Sequence, residues 1–224
     1  MNWPMIKHVM AKDWYFNRLA LVGYFLLGLI SVALLSVKNT GAFYAGAVIL
    51  ISSLIVMGWH LIFVTVIKER KSQTLPFLMS LPISPMDYTV AKMLINVGAF
   101  LVIWLLLAVS TFWVILNVDT IPNGLVTFAS IALLELVIAF LIILAIAIIT
   151  ESETYSVIVL TISNISVSLF WFWLTSISAI GSQMSSQEID WNSTVLTFLA
   201  AEIVIGLAAI CTAFYFQSKK QDFL

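Results

Sequence analysis

The stretch KERKSQTLPFLMSLPISPMDYTVAK, residues 68–92, is the most elaborate polar interruption of an apolar chain, and it holds four of the ten basic residues. The apolar segments on either side, 43–67 and 93–116, are long enough to cross a bilayer, because about 20 helical residues match its ~30 Å hydrocarbon core. Within the stretch, Pro82 ends an apolar helical pattern. Ser84-Pro85-Met86-Asp87 then has the residues of a capped helix start. The sequence therefore predicts a structured, charged loop between two membrane spans.

Composition assigns the whole chain to the membrane. Of its 224 residues, 62% are apolar and only 9% are charged, which excludes an ordinary soluble domain. Because backbone groups in lipid must be paired internally, each span is predicted to be helical. The expected fold is an all-α membrane protein with one transmembrane domain over residues 1–224. Six spans are predicted, at 19–37, 43–67, 93–116, 125–149, 155–177 and 194–216.

The distribution of basic residues predicts an orientation. If the N-terminus is cytoplasmic, nine of the ten Lys and Arg residues lie on the cytoplasmic side and only Lys38 lies outside. This asymmetry follows the positive-inside rule. It predicts a multi-pass protein with both termini in the cytoplasm, and it places the 68–92 loop there too.

The N-terminal segment is predicted to form an amphipathic interfacial helix at 5–17, which leads into the first span. Asp13 falls on or near the apolar side of this helix. A buried carboxylate needs a partner, and the candidates are Arg18 or a base from the 68–92 loop.

Several classes of function are excluded by what the sequence lacks. No phosphate-binding G-x-x-x-x-G-K-[S/T] loop is present, nor a zinc-binding HExxH or a hydrolase G-x-S-x-G motif. The chain is therefore not expected to be an enzyme. One cysteine, Cys211, and two histidines, His8 and His60, give no metal site. A net charge of −1 gives no reason to expect a nucleic acid partner.

The middle of the loop reads as one or two amphipathic helical turns along the membrane surface. Thr74 can cap the start of these turns, and Leu75, Leu78 and Met79 recur at helical spacing. The apolar patch so formed suits burial against a partner, and a charged rim is expected at 69–71. An ordinary interfacial helix remains the alternative interpretation.

The loop also carries a family resemblance. The residues concerned are Glu69, Ser72-Gln73-Thr74-Leu75, Leu78, Leu81-Pro82-Ile83-Ser84, Tyr88 and Ala91-Lys92. This pattern resembles the loop after the second span of type-2 ATP-binding-cassette (ABC) exporter permeases, where Glu, Gly-Thr, a leucine helix, Leu-Pro-(Ile/Val)-Ser and a later lysine are common. Gln73 departs from it, because the family often has glycine there.

The resemblance implies a function and a set of partners. The loop would be a coupling helix that docks on an ATPase, with Glu69, Thr74, Leu75, Phe77, Leu78, Pro82 and Ser84 as the coupling residues. Two cytosolic ABC ATPase subunits would bind ATP and magnesium, and this chain would carry no cofactor. A second permease chain, identical or related, would complete an exporter of amphipathic or hydrophobic cargo (peptide, antibiotic or lipid) in the inner membrane of a prokaryote.

Ionisable and polar residues within the spans are the candidates for a cargo pathway. They are Glu135, Glu202, His60 and Asn164, the last in a fifth span rich in Ser and Thr. A charge at the bilayer centre costs at least ~3 kcal/mol, so such groups usually face the bundle or a cavity. Three roles remain open for the two glutamates: interhelical hydrogen bonding, cavity lining and proton relay. The fifth span is expected inside the bundle, at a subunit interface, or along a substrate path.

Two other functions stay open as alternatives. A gradient-driven secondary transporter would use Glu135 and Glu202, although the sequence has no inverted repeat to support one. A non-transporting membrane scaffold would use the same loop to recruit a cytosolic protein.

Overall fold

The computed structural model describes residues 1–71, 83–150 and 152–220, and the side chains of residues 70 and 71 lie outside that description. This part of the chain contains six helices that are long and apolar enough to cross a membrane. Their bounds are α1 Trp3–Leu35, α2 Thr40–Ile62, α3 Pro85–Asn117, α4 Leu125–Thr150, α5 Glu153–Ser176 and α6 Ser193–Ser218. A π-helical turn, Phe63–Ile67, and a short helix, Lys68–Lys71, continue α2. The predicted six-helix, all-α membrane architecture is confirmed.

Helix α1 is longer than the predicted first span. The segment predicted as an interfacial helix, 5–17, runs into the span without a break. No proline follows Pro4 in α1, and its first glycine is Gly23, so nothing in the segment interrupts the helix. At 33 residues it extends for about 50 Å, well beyond the hydrocarbon core.

Helix α3 begins where the sequence predicts, eight residues before the predicted span. The Ser84 hydroxyl accepts a hydrogen bond from the Asp87 backbone N–H at 3.1 Å, and an Asp87 carboxylate oxygen accepts one from the Ser84 N–H at 3.4 Å. This reciprocal capping box, with Pro85 at the first helical position, satisfies backbone donors at the helix start.

Helix α4 lies at the centre of the bundle and is the most buried of the six. It packs against α6, α5, α2 and α3. The rings of Phe100 and Phe140 stack between α3 and α4 with their centroids 4.2 Å apart. Gly58 of α2 packs on the Phe140 ring, where an added Cβ would come within 3.0 Å. These contacts place the widest part of the apolar core around the middle of α4.

Helix α5 is the least buried of the six, so of its three expected places the one inside the bundle does not hold for a single chain. Its polar side chains do not need a neighbouring helix to be satisfied. Thr161, Ser168 and Thr175 are exposed, and each donates to a carbonyl of its own helix at 2.9, 3.1 and 2.7 Å. Helix α5 therefore presents a polar face to lipid or to another subunit.

Helices α1 and α2 pack closely at Gly46, which gives the first testable prediction. A Cβ on this residue would lie 2.7 Å from the Ser31 carbonyl oxygen and 2.9 Å from the Leu35 nitrogen. We expect Gly46→Ala to lower the free energy of unfolding by about 1–3 kcal/mol, because two backbones must separate. Reversible unfolding of the purified protein in mixed micelles with increasing SDS measures the change.

The matched control is Gly23→Ala in α1, where an added Cβ meets nothing within 4 Å. Because alanine is the better helix former, this variant should be as stable as the wild type or more stable, by up to ~1 kcal/mol. Equal stability of the two variants would mean that the helices do not approach at Gly46 as the structure has it.

Candidate functional site

Three chain segments meet in a buried cluster of charged side chains at the end of the bundle where most basic residues lie. Helix α1 contributes Lys12 and Asp13, the extension of α2 contributes Glu69, and the first turns of α3 contribute Tyr88 and Lys92. We call these five residues the ionic cluster. It joins both ends of the 68–92 loop to the N-terminal half of α1.

Lys92 is the centre of the ionic cluster. Its side chain is 0% exposed, and its Nζ lies 2.7 Å from Asp13 Oδ2 and 2.7 Å from Glu69 Oε2. The Tyr88 hydroxyl donates to the same Glu69 oxygen at 3.1 Å. Lys92 therefore bridges two carboxylates from two different segments, in surroundings closed to solvent.

Lys12 completes the cluster from its more exposed side. Its Nζ bonds the other oxygen of Glu69 and lies 3.4 Å from Asp13 Oδ1. Two carboxylates and two ammonium groups thus balance in charge, which buried charges require.

The electrostatics of Glu69 follow from this arrangement. Burial opposes ionisation of its carboxyl, but attraction by Lys92 and the hydrogen bond and charge of Lys12 outweigh burial. The pKa of Glu69 is therefore held below its ordinary value, and the side chain is a carboxylate at neutral pH.

A second set of contacts holds the starts of α1 and α3 together. The Asn2 backbone N–H donates to Asp87 Oδ1 at 3.0 Å. Next to this bond lies a small apolar cluster of buried residues: Ile6, Val9, Ile83, Tyr88 and Ala91. Tyr88 belongs to the apolar cluster through its ring and to the ionic cluster through its hydroxyl, so it joins the two clusters.

A crevice of about 460 Å³ opens beside the ionic cluster, between α1 and the end of α2. Lys12, Asp13 and Glu69 line it together with Asn17 and His60. The His60 ring packs edge-on against Tyr24, with centroids 5.6 Å apart. His60, predicted as a candidate for the cargo pathway, therefore lies beside the charged end of the bundle.

The structure identifies the base that pairs with Asp13. Of the two candidates from sequence, a base from the 68–92 loop is confirmed, and it is Lys92. Arg18 instead lies over the Tyr15 ring, 4.5 Å from its centroid.

Two of the seven predicted coupling residues lie within the described part of the chain. Ser84 caps α3. Glu69 is 7% exposed, so its predicted place on a charged rim is wrong: two lysines draw it inward. The other five predicted residues, Thr74, Leu75, Phe77, Leu78 and Pro82, lie outside the described residues.

Glu202 and Glu135 face the contact between α6 and α4. Glu202 is 3% exposed, and neither of its carboxyl oxygens has a hydrogen-bond partner within the described part of the chain. One turn further, Gly206 packs against Ile138 and Leu141 of α4. Glu135 is one turn before Ile138, just as Glu202 is one turn before Gly206, so both glutamates lie near the same α4–α6 contact. The structure thus brings these two candidates together.

Asn164 has different surroundings from the two glutamates. It lines a small cavity of about 20 Å³ together with Trp59 and Phe100. A space of this size holds about one water molecule. The four candidates for a cargo pathway therefore occupy three separate environments in the described part of the chain.

Comparison with known proteins gives no relative for this arrangement: no family model, no curated protein and no solved structure matches the chain.

Proposed function

We propose that this chain is the membrane subunit of an ATP-driven exporter of the type-2 ABC class. It would export an amphipathic or hydrophobic cargo, with two cytosolic ATPase subunits and a second permease chain. Two kinds of support come together. The 69–92 pattern resembles the coupling loop of that class, and the six apolar helices suit a permease.

The observation that carries the proposal is the attachment of both loop ends to α1. Glu69 leads into the loop and Lys92 follows it, and both bond within the ionic cluster on α1. A force on the loop would reach α1 and α3 through buried, charge-paired contacts and not through flexible connections. Such a rigid link is what a coupling loop needs if closure of two ATPases is to tilt the helices of a bundle.

Helix α5 supports the expected second permease chain. Its polar face is exposed in a single chain, and hydroxyl-bearing side chains are common where membrane helices meet. The pairing of two chains in the exporter would give this face a protein neighbour.

The experiment that tests the proposal is co-purification. A tagged chain is extracted mildly from its native membranes, and its partners are identified by mass spectrometry. We expect an ATPase with a phosphate-binding loop in near-stoichiometric amount. A structurally unrelated tagged membrane protein from the same cells serves as the control. Absence of such an ATPase, with the chain intact and monodisperse, would overturn the exporter assignment.

The buried carboxyl of Glu202 favours one alternative function. A buried carboxyl without a hydrogen-bond partner is costly in a membrane, and such groups often serve ion or proton pathways. A gradient-driven transporter would use Glu202 together with Glu135, and it would co-purify with no ATPase. The same experiment therefore separates the two functions.

A further inference from the structure

A cavity of about 250 Å³ lies at the end of the bundle opposite the ionic cluster. Its walls are the first turns of α2, from Phe43 to Ile51, and of α4, from Leu125 to Leu136. The cavity therefore extends for about 12–16 Å along these helices. Its lining is almost wholly apolar. Apolar cavities of ~150 Å³ already stay dry and bind hydrocarbons, so this one suits an apolar chain.

The mouth of this cavity is polar. A second hollow, of about 440 Å³, shares six residues with it: Leu35, Phe43, Tyr44, Ile121, Leu125 and Met184. The hollow adds Lys38, Asn39 and Thr120 to its lining. Lys38 is the only Lys or Arg between Arg18 and Lys68 in the sequence. In the described part of the chain it has no carboxylate within salt-bridge distance.

An unsatisfied donor belongs to the cavity wall. Trp171 lines the cavity, and its buried Nε1 has no hydrogen-bond partner among the described residues. Trp104, by contrast, donates its Nε1 proton to the Leu133 carbonyl at 2.8 Å. The Trp171 N–H is covered by surrounding protein atoms and adds no polar surface to the cavity, whose lining stays apolar.

We infer that this cavity holds one acyl chain of an anionic phospholipid from the adjoining membrane leaflet. The apolar walls take the hydrocarbon, and Lys38 at the mouth attracts the phosphate. A sugar or a free phosphate does not fit, because the interior offers no polar surface for either. A free cation is excluded by the charge of Lys38. The inference stands apart from the exporter proposal, since it involves the other end of the bundle and needs no ATPase.

Native mass spectrometry of the delipidated protein in detergent tests the inference. The probes are phosphatidylglycerol and phosphatidylcholine with identical acyl chains. We expect one phosphatidylglycerol to bind most tightly. Ala129→Phe, which fills the cavity from α4, should weaken this binding at least tenfold. Ala47→Phe fills it from α2 and replaces the first variant if that one does not fold.

The contribution of the Lys38 charge to lipid binding is tested separately. Lys38→Gln should weaken phosphatidylglycerol binding about fivefold, the effect of one basic residue near a lipid surface, and leave phosphatidylcholine unchanged. The matched controls are Ala208→Phe, at an exposed position on α6, and Lys7→Gln, at an exposed position near the N-terminus. Both controls should bind as the wild type does.

Three results would overturn the inference. Unchanged affinity in the cavity-filling variants would show that the acyl chain lies elsewhere. Equal binding of the two lipids to wild type and Lys38→Gln would remove the role of the anionic headgroup. Absence of bound lipid, with a dimer that Ala129→Phe converts to a monomer, would show that a second copy of the chain occupies the cavity.

Discussion

Lys92→Met is expected to lower the free energy of unfolding by about 3–5 kcal/mol, the usual effect of removing one partner from a buried ion pair. Methionine fills nearly the same space, so lost packing contributes little. The loss comes from the carboxylates: among the described residues Asp13 keeps only a 3.4 Å contact with Lys12, and Glu69 loses its contact with Lys92. For a chain of this size the midpoint of thermal unfolding should fall by on the order of 10 °C.

Adding a second substitution to Lys92→Met distinguishes the loss of charge pairing from the loss of packing. Asp13→Asn combined with Lys92→Met removes one carboxylate with its base, and Glu69 keeps Lys12. With Asp13→Asn also measured alone, we expect the double variant to be destabilised by less than the sum of the two single variants, with a difference of about 0.5–3 kcal/mol, a coupling typical of residues in one network. Lys7→Met, at an exposed position, is the control and should have little effect. Additive effects of the two substitutions would show that Asp13 and Lys92 do not interact.

Local features of this chain could be read from its sequence because short segments determine them. Apolar length alone gave the six spans, since lipid leaves helix as the available structure for each. The Ser84 capping box was predictable because all of its atoms lie within four residues. The need of Asp13 for a base followed from its place on an apolar helical face.

The arrangement of the site was not predictable in the same way. Asp13 and Lys92 are 79 residues apart in sequence, and the pairing depends on how α1 packs against α3. The inward turn of Glu69 depends on two lysines from different helices. His60 lines the crevice between α1 and α2, which exists only because these two helices pack together. The sequence did contain one indication of the ionic cluster. Lys12 directly precedes Asp13, so a basic side chain lies near that carboxylate in the chain.

Helix α5 shows what composition leaves open. Its Ser and Thr residues allowed a place inside the bundle, at a subunit interface or along a substrate path, because polar side chains favour contacts between membrane helices. A helix can satisfy these hydroxyls itself, through bonds to carbonyls three or four residues earlier, as Thr161 and Thr175 do. Polarity of this kind therefore does not by itself place a helix inside a bundle.

The ionic cluster and the loop it anchors are expected to have separable roles. Glu69 and Lys92 hold the loop ends on α1, whereas the resemblance places the partner contact at Phe77 and Leu78, between those ends. Substitutions in the ionic cluster should therefore change mainly the stability of the helix bundle. Substitutions at the centre of the loop should change partner binding and leave the bundle folded.

Phe77→Asp combined with Leu78→Asp is accordingly expected to abolish assembly with the ATPase that we propose as the partner. Large apolar side chains at the centre of an interface contribute about 2 kcal/mol or more each, so the affinity should fall on the order of a thousandfold. Co-purification of the ATPase with the tagged chain measures this directly. Cargo export should be lost with it, while the amount of chain in the membrane and its thermal unfolding midpoint remain those of the wild type.

The matched control makes the same chemical change at the other end of the bundle. Ile189 and Trp191 are exposed apolar residues in the connection between α5 and α6, outside the spans, and their replacement by aspartate should leave ATPase binding unchanged. Because both double variants add two carboxylates, a general effect of negative charge would appear in both. Export that persists in the Phe77/Leu78 variant would contradict the coupling role of the loop. If the double variant still binds the ATPase but does not export cargo, Phe77 and Leu78 transmit the motion. Docking would then depend on other residues of the loop.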